Sequence, residues 1–227
     1  MSEIFVIIVA AGTGNRLGSN IPKQFLPLGK DGRPVLMHTV QAFLRAGIKP
    51  ENIRIALSPE MFDFWGDLCE KHDFVSPQCV AGGKARFHSV RNALASIVCD
   101  SDDMIMVHDG VRPFVDVSLI ERVLDFAKRG DAVVPAVPVT DTLRIIDEEG
   151  VSHHVDRTNY VSIQTPQTFR AGVLKNAYKQ EYKAEFTDDA SVVESCGVLV
   201  LLAPGSYDNI KITTPGDLLI AEALMKK

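Results

Sequence analysis

The residues best equipped for chemistry gather where an apolar run ends. Ile4 to Val9 leads into Ala10-Ala11-Gly12-Thr13-Gly14-Asn15-Arg16-Leu17-Gly18 and then Pro22-Lys23-Gln24. Glycines after a strand let the backbone approach a ligand, and their N–H groups can cradle an anion. The spacing argues against two common nucleotide loops. A dinucleotide fingerprint needs its third glycine where Leu17 stands, and a Walker loop needs Gly-Lys followed by Ser or Thr. What remains is a glycine loop with two cations, Arg16 and Lys23, on a segment stiffened by Pro22. That suits a triphosphate: Arg forks onto two phosphate oxygens, and Lys adds a compact charge that tolerates a neighbouring metal.

Asp109 follows the apolar run Met104 to Val107, which places it at a strand's carboxyl end, where α/β sheets collect their ligands. A carboxylate there can hold Mg²⁺ beside a triphosphate, or simply cap a turn. Arg112 can pair with Asp109 or bind a second phosphate. His108 is read as a structural hydrogen-bonding group. Gly82-Gly83, ahead of a helix carrying Arg86 and Ser89, leaves room for a base. Thr187-Asp188-Asp189-Ala190 has the form of a helix start. Other candidates weaken. His153 and His154 point to opposite faces of a strand, Trp65 lies on an amphipathic helix as a packing residue, and Ser19 lacks partners for nucleophilic catalysis.

These residues need a scaffold, and the alternation of apolar periods supplies one. Phe5 to Val9, Ile53 to Leu57, Met104 to Val107, Ala132 to Val137 and Val198 to Leu202 read as strands. His38 to Arg45, Pro59 to Glu70, Ala85 to Ile97, Ser118 to Lys128 and Val173 to Lys183 read as helices. The pattern predicts an α/β fold: a mostly parallel twisted sheet with helices on both faces. Residues 138–160 break it. Asp147-Glu148-Glu149-Gly150 is a turn signal between β-prone flanks, which predicts a projecting β-hairpin arm or a surface loop.

With 227 residues and 46% hydrophobic content, the chain is expected to form a single domain, 1–227. A net charge of -5 with scattered Lys and Arg argues against nucleic acid as partner and for a small molecule. The start lacks a signal-peptide architecture, and its apolar run is too short to span a bilayer, so a cytoplasmic, non-membrane protein is expected. Cys69, Cys79, Cys99 and Cys196 form no C-x-x-C pair and read as free core thiols.

The first loop resembles that of the 2-C-methyl-D-erythritol 4-phosphate cytidylyltransferases of isoprenoid biosynthesis. The likeness continues in order through Val107-His108-Asp109-Gly110-Val111-Arg112-Pro113, Asp141-Thr142, Val155-Asp156-Arg157, Gln164-Thr165-Pro166-Gln167, Thr187-Asp188-Asp189-Ala190 and Asn209-Ile210-Lys211. It implies a Rossmann-like nucleotidyltransferase fold, with CTP and a polyol phosphate as substrates and Mg²⁺ as cofactor. By this likeness Arg16, Lys23, Arg157 and Lys211 form the catalytic set. Ala10, Ala11, Gly12, Gly14, Gly82, Gly83, Ser89 and Asp109 meet the nucleotide, and Asp109 also meets the metal. Asp109, Arg112, Thr142, Arg157, Thr165, Thr187 and Lys211 meet the acceptor, whose hydroxyls suit threonines and whose phosphate suits Arg157 and Lys211. The likeness further implies a homodimer in which the arm completes the neighbour's pocket. One departure stands out: the family often has an acidic residue where this chain has Lys84.

Three other readings compete. The ribitol-5-phosphate cytidylyltransferases share many of these residues but tend to have Ala-Gly-Gly where this chain has Ala10-Ala11-Gly12. A non-catalytic CTP-binding module is disfavoured by the joint presence of Arg16, Lys23, Asp109 and Lys211. A Rossmann oxidoreductase is disfavoured by Leu17.

Overall fold

The computed structural model describes residues 2–12 and 21–226. Strand β1 (Ile4–Val9) explains the layering. Its sequence is unbroken apolar, and Val6, Ile7 and Ile8 are all solvent-inaccessible, the signature of a strand covered on both faces. Alternate residues enter different cores: Val6 and Ile8 one, Phe5 and Ile7 the other. Strand β6 (Met104–Asp109) does the same with Met104 and Met106 against Ile105 and Val107. One core is closed by α1 (Val35–Arg45), α2 (Phe62–Lys71) and α4 (Val117–Phe126), the other by α3 (Arg86–Ala95), α5 (Ala171–Ala177) and α6 (Asp189–Glu194).

The main sheet has eight strands among the described residues. In its parallel half, β1 lies between β6 and β4 (Ile53–Leu57), and β4 pairs with β5 (Gln78–Ala81). In the other half, β11 (Gln167–Arg170) runs antiparallel to both β6 and β7 (Ala132–Pro138). Strand β10 (Val161–Ile163) is antiparallel to β7, and β12 (Leu201–Pro204) is parallel to it. Two short strands, β2 (Pro27–Leu28) and β3 (Arg33–Pro34), pair beside α1, and α7 (Pro215–Leu224) contributes Ala221 to a third apolar cluster with Leu28 and Val35.

The projecting arm is a hairpin of β8 (Arg144–Ile146) and β9 (Ser152–His154), with all of its strand residues exposed. Asp147 builds the turn: its Oδ1 accepts the N–H of Glu149 at 3.1 Å and of Val151 at 2.8 Å, while Gly150, at φ +82°, takes a left-handed conformation open to glycine at no steric cost. His153 Nε2 turns back to Asp147 Oδ2 at 2.8 Å.

Several sequence expectations shift. The last predicted strand lies at Leu201–Pro204 rather than 198–202, and the helix expected to reach Lys183 ends at Ala177, where Gln180 caps it by donating to the Ala177 and Val192 carbonyls. Strands β5, β10 and β11 and helix α7 have too short or too weak a period to be named, and of α6 the sequence marks only the start, at Thr187-Asp188-Asp189-Ala190. The cysteines are free, yet Cys69, Cys79 and Cys99 are half-buried and Cys196 is exposed, so none is a fully buried core thiol. Trp65 does pack inside, 2% exposed, with its indole N–H donated to Ser76.

Candidate active site

Register brings the parallel strands to a common end. Val9 lies opposite both Asp109 and Ala56, and Leu57 opposite Ala81, so the segments that follow β1, β4, β5 and β6 leave the sheet together. They surround a cavity of about 570 Å³. Its walls are tied by side chain to backbone. The Gln24 amide donates to the carbonyls of Ala10 at 2.7 Å and Gly12 at 3.0 Å, which fastens the turn carrying Lys23 to the end of β1. Ser89 accepts the Gly83 N–H at 3.0 Å and donates to the Ala85 carbonyl. Gly82 sits so close to β1 that a Cβ there would lie 2.3 Å from the Ala11 methyl, which is why a side chain is excluded at this position.

Asp109 forms the floor. Its Oδ2 is 2.9 Å from Lys211 Nζ and 3.4 Å from Arg112 Nε, and its Oδ1 is 3.7 Å from Arg86 Nε. Burial alone would raise this carboxyl, but Arg86, Lys211 and Arg112 together hold it below the usual carboxylate range, so it is an anion at neutral pH. Arg86 in turn reaches Asp189, whose side chain is fully buried, with Nη1 2.7 Å from Oδ2. Burial opposes the charge on Arg86, and the carboxylates of Asp189 and Asp109 overcome it and raise its pKa.

Behind the floor, His108 and Thr165 lock the end of β6. The Asp109 N–H donates to Thr165 Oγ1 at 3.1 Å; His108 Nε2 faces the Arg112 carbonyl at 3.0 Å, which can only accept, so in the neutral ring Nε2 carries the proton and Nδ1 accepts the Thr165 hydroxyl at 3.0 Å. Burial lowers His108 to about 4, in keeping with this neutral tautomer. Arg112 Nη1 donates to the Asn209 carbonyl at 2.8 Å, and Asn209 donates to the Thr165 carbonyl at 2.8 Å, joining the segments before and after β12 to the site.

The sequence-predicted residues divide accordingly. Ala10, Ala11, Gly12, Lys23, Gly83, Ser89, Asp109 and Lys211 line the one cavity, together with Lys84. Arg112 and Thr165 lie buried beneath it, and of the two readings of Arg112 the pairing with Asp109 is the contact made here. Thr187 is exposed, one residue before the helix cap Asp188, whose capping box with Ser191 bears out the helix-start reading. Thr142 and Arg157 line a separate cavity of about 220 Å³ on the arm, and Arg157 Nη1 donates to the Thr140 carbonyl. Within one chain they are not part of the Asp109 cavity. Gly14 and Arg16 lie outside the described residues. Sequence reasoning passed over Gln24, Arg86 and Asp189. The signal for the last two was an Arg in the first turn of the helix after Gly82-Gly83 and an acidic residue just inside a capped helix.

A divalent cation fits what Asp109 offers: one ionised hard-oxygen donor at the cavity floor. Among the described residues no group of three or more His, Cys, Asp or Glu gathers, so most of that ion's oxygens would come from phosphate and water.

A sheet wound this way, with Gly12 and Gly83, a carboxylate and several cations at its carboxyl edge, belongs to the nucleotidyltransferase class of α/β enzymes. Among solved structures, one described as 4-diphosphocytidyl-2C-methyl-D-erythritol synthase superposes with a TM-score of 0.81 at 31% identity, covering 100% of this chain and 99% of its own. The 2-C-methyl-D-erythritol 4-phosphate cytidylyltransferase of Thermus thermophilus superposes at 0.77 with 33% identity, over 99% and 100%. A protein of Bacteroides thetaiotaomicron with the same name is 51% identical across 97% of this chain and 98% of its own length. The model of the 2-C-methyl-D-erythritol 4-phosphate cytidylyltransferase family matches residues 4–227, and the chain belongs to that family.

Proposed function

We propose that this enzyme transfers the cytidylyl group of CTP to 2-C-methyl-D-erythritol 4-phosphate, yielding 4-diphosphocytidyl-2-C-methyl-D-erythritol and pyrophosphate. Family membership over nearly the whole chain carries the reading, and the ionised Asp109 among Arg86, Arg112 and Lys211 at the strand ends is the observation that supports its chemistry.

The acceptor phosphate is an anion at neutral pH and attacks the α-phosphorus without a general base. Catalysis is therefore positioning and charge stabilisation. Lys23, with Arg16, neutralises charge that builds on the α-phosphoryl oxygens and the departing pyrophosphate. The backbone from Ala10 to Gly14, with Gly82, Gly83 and Ser89, holds the nucleotide. Asp109 would hold Mg²⁺ against the triphosphate, where the ion supplies charge neutralisation. Lys211 and Arg157 orient the acceptor phosphate, while Arg112, Thr142, Thr165 and Thr187 complete the acceptor side. The exposed apolar residues Ile145 and Ile146 on the arm, with Thr142 and Arg157 away from the Asp109 cavity, support a homodimer in which each arm serves the other subunit's cleft; the chain itself is read as a single-domain, cytoplasmic enzyme. Among the described residues no helix is long and apolar enough to cross a membrane.

A pyrophosphate-release assay with CTP, Mg²⁺ and either polyol phosphate tests the assignment. Release with the methylerythritol phosphate is expected; release with ribitol 5-phosphate alone would overturn it.

A further inference from the structure

Arg86 has no part in the reaction above, yet it bridges the cavity and a carboxylate that solvent does not reach. Asp189 is 0% exposed. Its Oδ1 takes the Tyr178 hydroxyl at 2.6 Å, its Oδ2 faces Arg86 Nη1 at 2.7 Å, and its N–H and that of Ala190 both donate to Gln167 Oε1 at 3.0 Å. Carboxylates are seldom fully buried unless paired, and apolar replacements of a buried ion pair are often no less stable, so stability is a weak reason for this arrangement. Its geometric effect is specific. Asp189 draws one arm of the guanidinium away from Asp109, leaving Asp109 Oδ1 with a 3.7 Å contact while Lys211 and Arg112 crowd Oδ2 at 2.9 and 3.4 Å. Released from Asp189, the planar guanidinium could close on Asp109 as a two-pronged fork and cover both of its oxygens.

We propose that Arg86, tethered by Asp189 and Tyr178, is a positioning residue that orients Asp109 and keeps its Oδ1 edge available to Mg²⁺-CTP. The proposal rests on the reading that Asp109 serves the metal-bound triphosphate. Three elements that follow or enclose the site cooperate in it: α3 supplies Arg86, the end of α5 supplies Tyr178, and the first turn of α6 supplies Asp189.

The test compares Arg86→Lys, Asp189→Asn, Tyr178→Phe and the double variant Arg86→Lys/Asp189→Asn with the wild type. The readouts are kcat, acceptor KM, Mg²⁺-dependent CTP affinity by calorimetry, and folded fraction by circular dichroism. Arg86→Lys and Asp189→Asn should each lower kcat roughly ten- to a hundredfold, because small misplacements of a reacting group have costs of that size. Acceptor KM should stay within about twofold, and the double variant should be no worse than the weaker single, since the pair acts as a unit. A purely structural pair would reduce the folded fraction and leave kcat per folded molecule unchanged; that result overturns the proposal, as do losses that multiply in the double variant. Tyr178→Phe, which removes only a hydroxyl, carries the test if Asp189→Asn does not fold, and is expected to weaken kcat and Mg²⁺-CTP affinity in the same direction. Wild-type protein that binds Mg²⁺-CTP without releasing pyrophosphate would sink the assigned reaction alone. The affinities of the variants would then decide the role of Arg86: weakened Mg²⁺-dependent binding upholds it, and unchanged binding refutes it.

Discussion

The cavity floor and the arm carry comparable chemistry on opposite kinds of support. Asp109 and its neighbours stand at the ends of fully buried strands and are cross-linked by Thr165, His108, Asn209 and Arg112. Thr142 and Arg157 flank a two-stranded hairpin whose residues face solvent. An isolated hairpin of that size is marginal in water. The floor is thus organised within one chain, whereas among the described residues the two strands of the arm pair only with each other. Under the proposed reading, the nucleotide side and the floor's own acceptor residues Lys211, Arg112 and Thr165 are built within one chain, and only Thr142 and Arg157 would be added by assembly.

Four experiments break or sharpen that contrast. The largest effect belongs to Asp109→Asn, which removes the charge that Lys211, Arg112 and Arg86 converge on; turnover should fall on the order of a hundredfold or more, measured by pyrophosphate release. A fall below about tenfold would mean the floor is scaffolding.

Next, Lys23→Ala should mainly lower kcat, whereas Arg157→Ala should also raise acceptor KM. Unfolding and refolding the two variants together should restore about a quarter of wild-type activity, because half the dimers are mixed and each holds one intact cleft-and-arm pair. No recovery would place the arm's work within its own chain.

Third, the buried floor should respond to pH between 7 and 5, a window in which the arm carboxylates Asp147 and Asp156, both lowered by hydrogen bonds, stay ionised. His108 falls from 6.5 to about 4 on folding, so between those values the unfolded chain binds more protons and stability is lost as pH falls, by about 3 kcal/mol in total. The contribution is complete above pH 6.5. Asp109, also lowered, acts only below the usual carboxylate range, where falling pH again destabilises. Urea unfolding at pH 7 and pH 5 should show a flatter dependence in His108→Gln than in the wild type.

The smallest effect on the fold is expected for Ile146→Ser. This side chain is 68% exposed, so the stability of the isolated chain should change by less than about 0.5 kcal/mol, while sedimentation should shift toward monomer.

Much of this was legible in the sequence because the physics was local. Apolar runs such as Ile4 to Val9 need both faces covered, which predicts the parallel sheet; the strand before Asp109 locates the floor; and Asp147 to Gly150 spells out a turn. What escaped was set by distant partners. Strand β11 is four residues long and is held by β6 and β7 rather than by its own pattern, and its reversed direction carries no local mark. Arg86 is only a position on the helix after Gly82-Gly83 until the fold brings Asp109 and Asp189 to it. Gln24 is polar and 2% exposed, a combination that periodicity does not anticipate.

The contacts around Asp109 also set when the site can exist during synthesis. Thr165 is 56 residues downstream of Asp109, and the Asn209 carbonyl is 97 beyond Arg112. At ribosomal speeds of 5–20 residues per second, the floor waits roughly 5–20 s after Asp109 is made before its last partners are added. A nascent or prematurely stopped chain therefore carries the carboxylate without the cation that meets it from the far end of the sequence. Synthesis of the segment that carries Asn209 and Lys211 is itself the step that assembles the site.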